Sequence, residues 1–167
     1  MYAIVDIETT GSYAKANGIT EIAIVIHDGS EIIQRYQTLI NPGTSIPVYI
    51  RALTGISNEM VQDAPYFRDV AAEIFELLNG KIFIAHNVNF DYSFVRYHLA
   101  DSGYDLNCKK LCTVRLSRKI FKGLPSYSLG KLCRSLSIEN NARHRAAGDA
   151  EATAILFSML LENAHCT

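Results

Sequence analysis

The stretch that decides the fold is YAIVDIETTG, residues 2–11. Its β-branched and aromatic residues predict a buried strand over residues 2–7. Asp6 and Glu8 interrupt this apolar pattern, and carboxylates in such a place lower stability unless a cation or several hydrogen-bond donors satisfy them. Two residues apart on a strand, the two side chains point to the same face, with Cα atoms about 6.5–7 Å apart. The pair therefore predicts a shared hard cation, which we favour over an edge strand with two solvated acids.

The rest of the chain predicts an α/β fold in which helices pack on both faces of a mixed sheet. The predicted strands span residues 2–7, 19–27, 31–40 and 81–86. The predicted helices occupy short pieces of 48–64 and then residues 67–78, 90–100, 111–121, 127–136 and 146–162. Asp28-Gly29 marks a hairpin turn. Three strands in hairpin order, followed by alternating helix and strand, predict three antiparallel strands extended by parallel ones.

Length and composition are those of an ordinary globular domain. With 167 residues, 49% hydrophobic and 20% charged, the simplest organisation is one domain over residues 1–167, either complete or cut from a larger protein. Since no apolar run is long enough to span a bilayer and no secretory signal is present, we expect no membrane association and a cytoplasmic location. The cysteines form no CxxC pair, which favours reduced structural thiols; they are Cys108, Cys112, Cys133 and Cys166.

Positive charge is concentrated in one segment of the chain. The net charge of −1 argues against a generic nucleic-acid binder. Residues 107–145 nevertheless contain ten Lys or Arg and one acid, Glu139, which makes this segment +9 and the remainder −10. A solvated basic face without a partner is the alternative. Because the segment flanks the motif at residues 143–153, we favour a polyanionic substrate.

Two further motifs place acids near the start of predicted helices. In IAHNVNFDYSFV, residues 84–95, a buried strand is followed by Asp91 in the first turn of the next helix. In RHRAAGDAEAT, residues 143–153, His144 precedes the last helix and Asp149 lies in its first turns. Each acid alone has an ordinary explanation, since the helix dipole stabilises negative charge at this end.

Taken together, the motifs predict one metal-dependent site. Four carboxylates and one histidine stand at the ends of regular elements: Asp6, Glu8, Asp91, Asp149 and His144. Oxygen-only ligands favour Mg²⁺ or Mn²⁺ over zinc. Two such ions about 3.5–4 Å apart promote in-line displacement at phosphorus, because one activates a water and the other stabilises the leaving oxygen. A histidine beside that water is a natural general base.

The motifs DxETTG at 6–11, HNxxFD at 86–91 and HRAAxDA at 144–150 resemble those of the DEDD exonuclease superfamily, histidine subtype. This DnaQ-like group includes the proofreading ε subunit of bacterial DNA polymerase III. The resemblance covers nearly the whole chain, with the motifs in the family's order. His144 fits the histidine subtype, and Arg145 occupies the position at which the tyrosine subtype has its base.

The resemblance implies a ribonuclease H-like fold and 3′→5′ exonuclease activity on single-stranded DNA ends, with release of nucleoside monophosphates. By the family pattern, Asp6, Glu8 and Asp149 hold the first of two Mg²⁺ or Mn²⁺ ions. Asp6 also bridges to the second ion, to which Asp91 contributes. His144 would deprotonate the attacking water.

The resemblance also implies contacts to the terminal nucleotide. They would come from Thr9, from Ile56 within the Leu53–Ile56 stretch, from Asn87 and from Phe90. Each apolar position has an ordinary alternative in the core, and Asn87 could instead cap the following helix.

Three other functions are weighed against this one. An RNA-directed member of the family is the nearest, because discrimination of the 2′-hydroxyl rests on a few contacts that the sequence does not locate. A second is a subunit whose main role is docking on a DNA polymerase. A third, a nucleotide-binding relative with an inactive site, is disfavoured by the five intact chemical positions.

Overall fold

Three strands are followed by helices and two further strands in the computed structural model, which describes residues 1–164. The strands are β1 (Tyr2–Thr9), β2 (Ile19–His27), β3 (Ile32–Leu39), β4 (Ile82–Ala85) and β5 (Lys110–Cys112). The helices are α1 (Val48–Thr54), α2 (Asn58–Gln62), α3 (Phe67–Leu78), α4 (Val88–Asp101), α5 (Thr113–Ile120), α6 (Leu129–Ser135) and α7 (Ala146–Ala164).

The five strands form one mixed sheet in the order β3-β2-β1-β4-β5. The pairs β1–β2 and β2–β3 are antiparallel, whereas β4 runs parallel to β1 and β5 parallel to β4. The β2–β3 hairpin turns at Asp28, whose Oδ1 accepts the amide hydrogens of Ser30 and Glu31 at 2.7 and 2.8 Å. The predicted antiparallel-then-parallel sheet and its first hairpin are confirmed.

The two faces of β1 pack against different helices. Val5 and Ile7 belong to the larger core, which includes buried residues of α3 and α4. Ile4, on the opposite face, packs with residues of α7. Because side chains alternate along a strand, Asp6 and Glu8 share the α7 face with Ile4. The alternation of β1 therefore aims both acids at the last helix.

Helix α7 approaches the sheet closely because its contact side is built from alanine. Ala146, Ala150 and Ala154 recur every four residues, and all three are fully buried against the sheet. Residues four apart lie on the same side of a helix, and the small methyl groups let the helix axis come near the strands. Phe157 continues this side and packs its ring 4.9 Å from that of Tyr2.

One predicted element is wrong. The sequence assigns residues 111–121 to a single helix, whereas Lys110–Cys112 form β5 and the helix begins at Thr113. This strand of three residues is too short for a period of two to be visible in the sequence. It exists because β4 presents a free edge to which Leu111 pairs opposite Ile84.

Two features of the described residues bear on the other sequence predictions. No helix within residues 1–164 is long and apolar enough to cross a membrane. Within the same residues Cys108, Cys112 and Cys133 are free thiols, and Cys166 lies outside the described part of the chain.

Candidate active site

Three of the predicted carboxylates meet between β1 and the first turn of α7. Asp6, Glu8 and Asp149 each offer one oxygen, and these oxygens lie within 4.8 Å of one another. All three side chains are half-buried. The cluster forms because the acids of β1 face α7 and Asp149 stands one turn below its N-terminus.

Asp91 adjoins this cluster from α4 and is buried, with 4% of its surface exposed. Its Oδ1 accepts a hydrogen bond from the backbone N–H of Ile7, the residue between Asp6 and Glu8, at 3.2 Å. This amide is available because β4 ends at Ala85 while β1 continues beyond it. The free edge of β1 thus fixes the fourth acid next to the other three.

The electrostatics of the cluster are unfavourable without a cation. Burial, and then the charges of Asp91 and Asp149, raise the pKa of Asp6 well above its usual value. Burial followed by repulsion from Asp149 raises the pKa of Glu8 to about 8. Burial also raises the pKa of Asp91, and the hydrogen bond from Ile7 only partly opposes it. Carboxylates this close together are stable only if some of them are protonated or if a divalent ion binds between them.

His144 is held by its backbone, which leaves its ring free. Its φ of +60° lies in the left-handed region, which is uncommon for a residue with a Cβ. The backbone N–H of His144 donates to Oδ2 of Asp149 at 3.0 Å, and Nδ2 of Asn140 donates to Oδ1 at 2.7 Å. The imidazole has no hydrogen-bond partner among residues 1–164. The Asp149 carboxylate therefore fixes the loop that presents the ring.

Gly148 allows this loop to lie against α7. A Cβ at this position would stand 2.4 Å from the carbonyl oxygen of Ala142 and 2.7 Å from its Cβ. Because the first of these contacts is to backbone, a side chain at residue 148 would push the whole 140–145 loop outward. The small residue that the sequence motif contains is required for the approach of His144 to the acids.

Glu21 is a buried residue that the sequence prediction missed. It lies opposite Glu8 in the β1–β2 register and exposes 5% of its surface. Its carboxylate accepts hydrogen bonds from Nη2 of Arg145 at 2.6 Å and from the backbone N–H of Ala146 at 2.5 Å. It thereby caps α7 and pairs the arginine next to His144. The signal was present, since Glu21 is the one charged residue of the apolar run ITEIAIVIH.

Two of the predicted nucleotide contacts lie close to the acids along the chain. Thr9 ends β1 and is buried, and its hydroxyl donates to the carbonyl of Gly11 at 2.7 Å. Phe90 is half-buried in the first turn of α4, with its ring 5.0 Å from that of Phe94. Part of the Phe90 ring is thus left for a ligand beside Asp91.

The other two predicted contacts have different surroundings. Ile56 is fully buried with Ile46 and Val61 in a satellite core, so that no part of it is free to touch a nucleotide. Within the predicted stretch, Leu53 is the apolar side chain at the surface, with 56% exposed. Asn87 is exposed at the N-cap of α4, where its side chain makes no capping hydrogen bond.

The donor set fits a hard divalent cation. Asp6, Glu8 and Asp149 supply only carboxylate oxygen, which Mg²⁺ and Mn²⁺ prefer. Their mutual repulsion would be relieved by a positive ion at the same place. Asp91 lies beside this group and is available as a further ligand.

Comparison with known proteins agrees with this geometry. A family model described as Exonuclease matches residues 3–157. The 3′-5′ exonuclease DinG of Bacillus subtilis (strain 168) is 44% identical over 163 residues, which are 96% of this chain but 18% of that protein. DNA polymerase III subunit epsilon of Aquifex aeolicus (strain VF5) is 35% identical over 162 residues, covering 96% of this chain and 80% of that one. The chain thus spans less than a fifth of the DinG relatives that it matches.

Solved structures share the fold. Exonuclease X, in complex with 5′ overhanging duplex DNA, superposes with a TM-score of 0.81 at 27% identity, covering 100% of this chain and 95% of that one. E. coli Exonuclease I, in complex with a dT13 oligonucleotide, reaches 0.86 at 18% identity over 99% of this chain and 42% of that one. The predicted ribonuclease H-like fold is confirmed.

The family model covers most of the chain, and the epsilon relative is matched over most of its own length. The residues that the family model matches, 3–157, include the three motifs that carry the acids and His144. The chain therefore belongs to the exonuclease family, as predicted from its DnaQ-like motifs.

Proposed function

We propose that the chain hydrolyses single-stranded DNA from its 3′ end in a reaction that depends on two divalent metal ions, Mg²⁺ or Mn²⁺, and releases nucleoside monophosphates. The observation that carries the proposal is the meeting of Asp6, Glu8 and Asp149 within 4.8 Å, beside the buried Asp91. A site of this charge and composition suits a cation that in turn binds phosphate.

In this proposal the four acids have distinct roles. Asp6, Glu8 and Asp149 hold the first ion, and Asp6 and Asp91 hold the second. When bound, the ions supply an activated water and stabilise the leaving oxygen of the phosphodiester. The hydrogen bond from Ile7 orients Asp91 towards the same region.

His144 is the proposed general base. Its ring is not engaged by other groups of the described chain, and its backbone is fixed through Asp149. A neutral imidazole nitrogen that makes no other hydrogen bond can accept a proton from water. The backbone hydrogen bond holds His144 beside Asp149 without occupying the ring nitrogens.

The terminal nucleotide is proposed to lie beside Thr9 and Phe90, with Leu53 in place of Ile56 as the apolar contact of its loop. An aromatic ring can stack on a base whatever its identity, and an aliphatic side chain can pack against it. Asn87, exposed next to this region, is proposed as a polar contact to the sugar or phosphate.

DNA is favoured over RNA because Exonuclease X and Exonuclease I have been solved with DNA. An RNA substrate stays an alternative. A DNA polymerase partner is proposed only from the epsilon relative. The extent of the domain, residues 1–167, and the cytoplasmic location stay predictions.

The test uses wild type and Asp6→Ala on a single-stranded DNA oligomer labelled at its 5′ end, with Mg²⁺. Wild type should produce a ladder that shortens from the 3′ end, and the variant should lose at least about a hundredfold in rate. EDTA should abolish cleavage. Equal rates for the variant and wild type would contradict the proposal, and a matched RNA oligomer tests the choice of substrate.

A further inference from the structure

A polar groove leads away from the acids along α5. Two depressions of about 660 and 460 Å³ share Asn87, Val114 and Arg118, and therefore form one continuous surface. We call it the α5 groove and define it by His86, Asn87, Arg115, Arg118, Ser126 and Ser128.

The groove begins next to the acid cluster. Nε2 of His86 donates to the carbonyl oxygen of Tyr127, and Nδ1 lies 2.8 Å from the hydroxyl of Thr113. These bonds tie the end of β4 to the start of α5 and to the 124–128 loop. Burial lowers the pKa of His86, and the hydrogen bond to Tyr127 and the charge of Asp149 partly oppose this shift. Asn87 stands one helical turn before Asp91. A ligand at the acids would therefore have the groove as its neighbour.

The positive charges of the groove are not paired with acids of the described chain. Arg115 and Arg118 are exposed and form no ion pair within residues 1–164. Arg118 lies over the Tyr127 ring, 5.7 Å from its centroid, which limits its motion. Arg145, by contrast, is paired with Glu21. Part of the positive charge concentrated in residues 107–145 thus lines a single groove.

We propose that the α5 groove binds the phosphates of the DNA strand on the 5′ side of the bond to be cut. The inference rests on the proposed function, because the terminal nucleotide then occupies the acid site and the remaining strand must leave over a neighbouring surface. Guanidinium groups bind phosphate through paired hydrogen bonds. The short side chains of Asn87, Ser126 and Ser128 add hydrogen-bonding groups that are not specific for a base.

The test compares two double variants that remove the same charge. Arg115→Ala/Arg118→Ala removes both guanidinium groups of the groove. Lys119→Ala/Lys122→Ala removes two exposed lysines of the same region that do not line the groove. Binding of a 5′-fluorescein 12-nucleotide DNA is measured by anisotropy, with Ca²⁺ replacing Mg²⁺ to suppress cleavage. The groove variant should bind at least about tenfold more weakly, and its salt slope should fall by about 1.4 for two lost phosphate contacts.

The lysine variant should stay within about twofold of wild type. Equal losses in both variants would overturn the proposal, because the effect would then come from net charge alone. An unchanged affinity and salt slope in the groove variant would overturn it as well. This binding measurement does not depend on turnover.

A second readout separates the groove from the acid site. The nitrophenyl ester of thymidine 5′-monophosphate has no strand on its 5′ side. For the groove variant, kcat/KM should fall at least about tenfold more on the 12-mer than on this ester. Equal losses on the two substrates would mean damage to the acid site and would overturn the proposal. If wild type cleaved neither substrate, the proposed function would fail, while the anisotropy would still decide whether the groove binds DNA.

Discussion

At the scale of single residues, the backbone of His144 holds its loop in place, whereas its ring is left free for a reaction. His144 adopts a left-handed backbone that its own N–H stabilises by donating to Asp149. Strained backbone of this kind persists only where the surroundings fix it. Gly148 gives the space for the loop, and the imidazole is left without a structural task. A residue whose ring contributes nothing to the fold can be replaced with little loss of stability.

The first prediction follows from this separation. His144→Ala should lower kcat by about 10²–10⁴-fold near pH 7, the usual contribution of a general base, while the increase in melting temperature with Mn²⁺ is retained. Arg143→Ala, an exposed neighbour in the same loop, is the control and should keep its rate. A His144→Ala rate equal to that of wild type near neutral pH would rule out the general-base role.

At the scale of elements, two kinds of contact position α7: hydrogen bonds from its N-terminus to Glu21, and packing of its alanine side chains on the sheet. Glu21 of β2 accepts the N–H of Ala146 and pairs Arg145, and the methyl groups of the helix fit the sheet. The sheet register places Glu21 opposite Glu8. The same strand pairing therefore sets the position of Glu8 and of the helix that brings Asp149 to the acids of β1.

Replacing Glu21 should therefore disturb both stability and activity. Glu21→Gln removes the charge that faces Arg145, and loss of a hydrogen bond to a charged group costs about 1.5–3 kcal/mol. We expect the melting temperature to fall by about 2–4 °C per kcal/mol and kcat to fall at a temperature where the variant is fully folded.

The matched control is Glu151→Gln, which lies on the same helix as Ala146. It breaks the exposed pair between Glu151 and Arg35 of β3. Exposed pairs contribute little, so the control should stay within about 1 kcal/mol of wild type. If the two variants lost equal stability and Glu21→Gln kept its rate, Glu21 would have no positioning role.

Long elements with a regular residue pattern could be predicted from the sequence. A very short strand and the burial of single residues could not. The alternation of β1 and the alanine-rich helix α7 are visible in the sequence because each repeats over several residues. β5 is not, because its three residues are a strand only through the free edge of β4. The burial of Ile56 depends on packing with Ile46 and Val61, which come from other segments. The motif acids were predictable as a set, whereas Glu21 needed the strand register.

At the scale of the whole molecule, charge is distributed unevenly along the chain. The acids gather where β1, β2, α4 and the start of α7 meet, whereas residues 107–145 contain ten of the sixteen Lys and Arg. The net charge of −1 hides this separation. Two divalent ions at the four acids would neutralise them and raise the net charge from −1 to +3, which favours a polyanion. The same ions would also remove the main repulsion within the fold.

The stability of the metal-free protein should fall as the pH rises. Burial, together with the charges of Asp149 and Glu21, raises the pKa of Glu8 to about 8. A carboxyl whose pKa is higher in the folded state stabilises the fold below its unfolded pKa, and this contribution is lost as the pH rises through about 8. In EDTA, therefore, the melting temperature measured by circular dichroism should fall between about pH 5 and pH 9. Glu8→Gln should flatten that fall.

Mn²⁺ should reverse the same loss at high pH. At a concentration of about 100 times its Kd, an ion that binds only the folded state adds about 2.7 kcal/mol, which corresponds to a rise of about 5–11 °C. Glu8→Gln lacks one of the three converging carboxylates and should gain much less. If wild type were equally stable at pH 5 and pH 9 in EDTA and gained nothing from Mn²⁺, the acids would neither repel one another nor bind a metal, and the proposed hydrolysis would lose its basis.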